Sequence, residues 1–251
     1  MGHGDGDPRV LLYADDEGAV VMASILKNRN IQRIIICSLI ACVLHATMLH
    51  TPFNDYLYTS IFKVFMFILA PFMYCKIAKD AAFTDLLSLF KMRGRKNMLI
   101  AFALGFGTFA FIIIVFTLLL PFFDRAVIVD ALAENGITPY NAIFVFLYIV
   151  IINAALEQFF FRGFVFVQMY QIGFKRFAHG YSSVLFSFYH IPILFNGLSV
   201  EMLIFCTVGL IIAGLIFNTL AVIFKSISGS LIVHISANLA LNLMIGWHFV
   251  F

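Results

Sequence analysis

The chain has 251 residues, 63% hydrophobic and 12% charged, with a formal net charge of +3. Soluble domains carry about 25% charged residues, so this balance and a mean hydropathy of +1.01 exclude a soluble globular domain, and the small net charge excludes nucleic acid as a partner. The expected fold is all-α, a polytopic transmembrane helix bundle of about seven to eight helices in contact with membrane lipid.

In chain order, residues 1–30 read as a cytosolic N-terminal segment, acidic at Asp15, Asp16 and Glu17. A short strand or helix is expected near Val20 to Leu26. The sixth residue is not the Ser or Thr of a myristoylation signal, and the start lacks the basic region of a secretory leader. Residues 31–251 form the bundle. Seven apolar segments run Ile31–Leu49, Tyr56–Ala78, Met98–Phe122, Asn141–Val167, Phe177–Phe195, Val200–Phe224 and Ser230–Phe251. The first is interrupted near its end by His45, Thr47 and His50. Within Asp80 to Arg95, the residues Phe83, Leu86, Leu87 and Phe90 recur at helical spacing ahead of basic residues, the pattern of an amphipathic helix on the inner leaflet.

Loop charge orients the segments. Lys27, Arg29 and Arg33, then Lys76, Lys79, Lys91, Arg93, Arg95 and Lys96, then Lys175 and Arg176, then Lys225 fall on one side. Asp55, Asp124, Asp130, Glu134 and Glu201 fall on the other, with Arg125 the one clear basic residue there. The positive-inside rule makes this an integral membrane protein with a cytoplasmic N-terminus and an outer C-terminus. Lys63, inside the second segment, is expected to snorkel to the headgroups. Cys37, Cys42, Cys75 and Cys206 read as small core residues, Phe159 to Phe161 as packing or lipid-facing groups, and Gly209 with Ala213 as a small-residue helix contact.

The functional signal is polar residues stranded in the most hydrophobic third. Asn153 and Glu157 share a face of the fourth segment. Ser183, Ser187 and His190 do so on the fifth, and Ser230, His234, Asn238 and Asn242 on the seventh. Lipid satisfies none of them, so the stripes should turn inward and meet in one internal site in the cytoplasmic half of the bilayer. A carboxylate in apolar surroundings can take a proton from water. A neighbouring imidazole can position that water or pass on the proton. A second His and an Asn can donate to a developing oxyanion. These are parts for water-mediated hydrolysis of an amide bond. Metal chemistry competes: Glu157, His190 and His234 could ligate zinc with water in the fourth place, although the compact H-E-x-x-H motif is absent. Arg162, five residues beyond Glu157 and off the Glu157 face, reads as an ion-pair or interface anchor.

Three motifs occur in order: Glu157-Gln158-Phe-Phe-Phe-Arg162, Phe186-Ser-Phe-Tyr-His190 and His234-Ile-Ser-Ala-Asn238. Together they resemble the CPBP family, also called ABI or type II CAAX-endopeptidase-like, over roughly Ala142 to Ile245. The resemblance implies a CAAX-protease-like intramembrane endopeptidase fold. It makes Glu157 the water-activating base, His190 its helper, and His234 with Asn238 the oxyanion site, with Gln158, Arg162 and Phe186 as motif support. It also implies a peptide or lipidated protein substrate and no obligatory cofactor, zinc being the possible exception. One departure stands out. The family pattern has a second Glu where this chain has Gln158, which keeps shape and hydrogen bonds but cannot titrate. The rival expectation is therefore a catalytically impaired relative serving as a scaffold or assembly subunit with a membrane-protein partner. A proton-coupled transporter is a third, disfavoured by the absence of broken-helix repeats.

Overall fold

The computed structural model describes residues 23–25, 27–51, 55–78, 82–195 and 198–250. Nine longer helical stretches stand among them, besides the 3-10 turn Leu120–Phe122 that extends the fourth. α1 spans Arg29–Met48, α2 Tyr56–Ala78, α3 Phe83–Ser88, α4 Arg95–Leu119, α5 Arg125–Glu134, α6 Ala142–Ile172, α7 Lys175–Leu194, α8 Val200–Phe224 and α9 Ser228–Val250. Six of them (α1, α2, α4, α6, α8 and α9) are long and apolar enough to cross a membrane. The remaining expected segment, the fifth, is α7; it is 20 residues long, enough for about 30 Å, but serines and histidines dilute its hydropathy. The expected element near Val20 to Leu26 lies largely outside the described residues; Ala23 to Ile25 and Lys27 are helical.

Local chemistry sets the helix ends. Asn28 caps α1 by accepting from the amides of Asn30 (3.0 Å) and Ile31 (3.1 Å). Asp124 caps α5 through the Ala126 amide (2.9 Å). That helix lies where a plain loop was expected. The amphipathic element is also shorter than expected: α3 is six residues, and its apolar face turns inward. Leu86 is fully buried, while Phe83 and Phe90 meet the ring of Phe159. Backbone pairing of Ile227 with Leu89 (2.9 Å) pins the turn after α3 to the α8–α9 corner.

The helices pack in neighbouring pairs, α1 on α2, α4 on α9, α7 on α8, and α8 on α9, with α6 threaded between α2, α7 and α9. Close approach follows small residues. A Cβ at Gly214 would lie 2.8 Å from the Ser183 backbone, so α7 and α8 touch there. This corrects the expected Gly209 contact: Gly209 has nothing within 4 Å. The core centres on the second half of α6, where Phe160, Phe161, Phe164 and Phe166 are fully buried and Phe160 stacks on Phe67 at 4.0 Å between centroids. Phe159 to Phe161 are thus packing groups.

α6 is not a uniform α-helix. Tyr148–Asn153 and Gln158–Val167 have π geometry, flanking a short α segment at Ala154–Glu157. Side-chain donors from neighbouring helices reach backbone carbonyls in both stretches: Asn238 Nδ2 donates to Ile149 O (3.2 Å) and Ser182 Oγ to Phe161 O (2.9 Å). Interhelical contacts of this kind offset the poorer local bonding of a wide turn.

Candidate active site

Glu157 ends the short α segment of α6 and is almost completely buried. Its two oxygens have different surroundings. Oε1 accepts from the ammonium of Lys63 (2.7 Å), from Asn153 Nδ2 (3.0 Å) and from the Tyr189 hydroxyl (3.4 Å). Lys63 also donates to the side-chain carbonyl of Asn153 and lies over the Tyr189 ring, 4.9 Å from its centroid. Oε2 has no hydrogen-bond partner among the described residues. It faces His234 Nε2 at 3.7 Å and His190 Nε2 at 3.9 Å.

Lys63 does not snorkel. It is 6% exposed and paired with Glu157. The reason is energetic: a buried carboxylate without a counter-ion is costly, and an ammonium on the facing helix offsets that cost with hydrogen bonds. Lys63 and Tyr189 are the site residues missed from sequence. The signal existed for Lys63, a lone cation in an apolar span, to which the rule that intramembrane charges face inward applies.

Hydrogen bonds to the distal nitrogens define each imidazole. His190 Nδ1 lies 2.7 Å from Phe186 O. A carbonyl only accepts, so Nδ1 carries a proton and Nε2 can present a lone pair towards Glu157. His234 differs. The Gln158 side chain lies between Ser230 Oγ (2.9 Å) and His234 Nδ1 (3.1 Å), and Ser230 Oγ also reaches Ile227 O (2.9 Å). Nδ1 is then engaged by Gln158, and Nε2 is aimed at Glu157. Gln158 therefore orients His234 through a neutral hydrogen bond. The Phe217 ring stacks on His234 at 5.0 Å between centroids and holds its plane.

Arg162 is fully buried among aromatic rings, 4.1 Å from the Phe186 centroid and 4.8 Å from that of Phe217. None of its guanidinium nitrogens has a hydrogen-bond partner among the described residues. Its expected position off the Glu157 face is corrected by the π geometry of Gln158–Val167. A π-helix pairs residues five apart and widens its turn to about 4.4 residues, so a residue five positions on comes back much closer to the same side than in an α-helix. Phe186 connects these parts, since its ring supports Arg162 while its carbonyl holds His190.

The structure brings Glu157, His190 and His234 together and keeps Asn238 apart from their hydrogen bonds. The Asn238 amide nitrogen is bound to Ile149 O. Ser183 and Ser187 face α8 instead of the site, bonding Asn218 (3.1 Å) and Thr207 O (2.7 Å). Asn242 donates to Asn238 O (2.7 Å). Among the described residues no three His, Cys, Asp or Glu side chains stand in a metal-binding arrangement.

Residues 139–240 match the family model described as type II CAAX prenyl endopeptidase Rce1-like. No match was found among curated proteins or solved structures. The matched stretch contains Glu157, Gln158, Arg162, Phe186, His190, His234 and Asn238, while Lys63 lies outside it. Over residues 139–240 the chain is thus similar to the type II CAAX prenyl endopeptidase Rce1-like family of membrane proteins.

Proposed function

We propose that this protein is an intramembrane endopeptidase that hydrolyses a peptide bond of a membrane-associated or lipidated substrate, with its N-terminus in the cytoplasm. The observation that carries this reading is the division of labour on Glu157. Lys63, Asn153 and Tyr189 occupy Oε1, while Oε2 faces two imidazole nitrogens at 3.7 and 3.9 Å. Those separations are too long for direct hydrogen bonds, and in this proposal the reacting water sits against these three atoms.

In the proposed reaction Oε2 of Glu157 removes a proton from that water, and His190 Nε2 holds it in line. The oxygen adds to the substrate carbonyl carbon. His234, with Nε2–H directed into the site by Gln158, donates to the developing oxyanion. Asn238 joins as a second donor by releasing Ile149 O. Collapse breaks the C–N bond, and the proton on Glu157 passes to the leaving amine. No step is routed through a metal.

The test is a map of new peptide termini in membranes carrying the wild-type chain or one of Glu157→Gln, His190→Ala and His234→Ala. Each variant is expected to insert normally and to lose about 10²- to 10⁴-fold in cleavage rate. Wild-type cleavage by any of them removes that residue from the mechanism. Gln158 bears on the non-catalytic alternative. A wild-type chain that cleaves nothing, gains hydrolysis on Gln158→Glu and co-purifies with one membrane protein in fixed ratio would be a scaffold.

A further inference from the structure

On the membrane face where α8 ends and α4 and α9 begin lies a groove of about 650 Å3. Its polar lining includes Lys91, Arg93, Asn97 and Lys225, and its apolar lining includes Ile223 and Phe224; no acidic residue lines it. The walls are tied together. Ile227 N–H and Ser226 Oγ both donate to Leu89 O (2.9 and 2.8 Å), and Ser228 Oγ donates to Phe90 O. The groove is therefore part of the fold and not a gap between separate loops.

Lys225 supplies a second, independent observation. It closes α8 in the left-handed conformation, φ 49° and ψ 36°, and is the one non-glycine residue with positive φ among those described. Glycine suits that position, because a Cβ is strained there. A lysine held at a strained helix end, with its side chain lining a basic groove, is the kind of backbone outlier that marks a binding site. The apolar lining narrows the ligand. Ile223, in its wall, is 63% exposed and points away from the packed core. A free inorganic anion gains nothing from such a wall, whereas an acyl chain does.

We propose that this groove binds an anionic membrane phospholipid, its phosphate held by Lys91, Arg93 and Lys225 and its acyl chain laid along Ile223. The site is separate from Glu157 and independent of the protease reading. Basic pockets between transmembrane helices recognise lipid headgroups in this way.

The experiment is a native mass-spectrometric titration of the full chain in detergent with phosphatidylglycerol, phosphatidylcholine or inorganic phosphate. Phosphatidylglycerol is expected to bind, phosphatidylcholine to bind at least tenfold more weakly, and millimolar phosphate to leave the lipid in place. The variant Lys91→Gln/Arg93→Gln/Lys225→Gln should lose about a hundredfold in phosphatidylglycerol affinity, from roughly fivefold for each cation. Lys225→Gly separates binding from folding. It relieves the strained backbone, so the thermal midpoint should hold or rise while phosphatidylglycerol affinity falls about fivefold. Unchanged lipid affinity in either variant overturns the proposal. So does equal binding of phosphatidylcholine, and displacement of the lipid by phosphate would make this a free-anion site. Should the triple variant fail to fold, Lys225→Gly alone decides.

Discussion

α4 and α6 are both long apolar spans, and they solve opposite problems. The span containing α4 has a mean hydropathy of 2.6 and is 17% buried, with Phe106 exposed at 75%. The span of α6 has a mean hydropathy of 2.1 and is 39% buried. α4 is a regular helix that touches α9 along one line, where Gly105 meets Ser236 and Ile232. α6 carries Asn153, Glu157, Gln158 and Arg162 on its buried surface and departs from α geometry on both sides of Glu157. A helix facing lipid can keep its own hydrogen-bond ladder and present any apolar residue. A helix holding charged groups in the bilayer has to bend its backbone to its neighbours, because only they satisfy those groups.

Substitutions in the two helices and their partners can break this contrast. The largest effect is expected at the partner of α6. Lys63→Met leaves Glu157 without its counter-ion and should cost about 3–5 kcal/mol, read by chemical unfolding in detergent. The double variant Lys63→Met/Glu157→Gln should recover much of that loss, and additive effects would mean that the two side chains are not coupled. Next comes Gly214→Val on α8, which drives methyl groups into the Ser183 backbone and should cost about 1–3 kcal/mol. An unchanged unfolding midpoint would place α7 and α8 further apart than described here.

Smaller effects sharpen the comparison within α4 itself. Gly105→Ala pushes against Ser236 Oγ, 2.6 Å from the new Cβ. It should destabilise by about 1 kcal/mol by disturbing the Ser236 bond to Ile232 O. Gly107, two residues on, has nothing within 4 Å. Gly107→Ala should stabilise by about 0.5–1 kcal/mol through helix propensity alone. Equal signs for the pair would contradict a one-sided α4. Smallest of all, Phe106→Leu on the lipid face should stay within about 0.5 kcal/mol of wild type.

The spans were readable in the amino-acid order with errors of only a few residues at most ends, as at Tyr56–Ala78 and Val200–Phe224. Some of the site was readable too: Glu157, His190 and His234 do converge. Ser183 and Ser187 share the helical spacing of His190 yet serve helix contact, since spacing names a face only approximately and cannot name the neighbour that face meets. Lys63 was misread because a long aliphatic stem permits both snorkelling and burial, and the choice depends on a carboxylate 94 residues away.

The amino-acid order alone determined that the chain crosses a membrane and that its polar groups gather inside it. Lipid satisfies neither backbone nor charge, and that penalty depends on residue type more than on detail. Tertiary structure decided which Glu157 oxygen is held and which is free, which nitrogen of His234 meets Gln158, and that Arg162 comes back towards the side of Glu157. These depend on π turns and on hydrogen bonds between distant helices, whose geometry exists only once the bundle is packed.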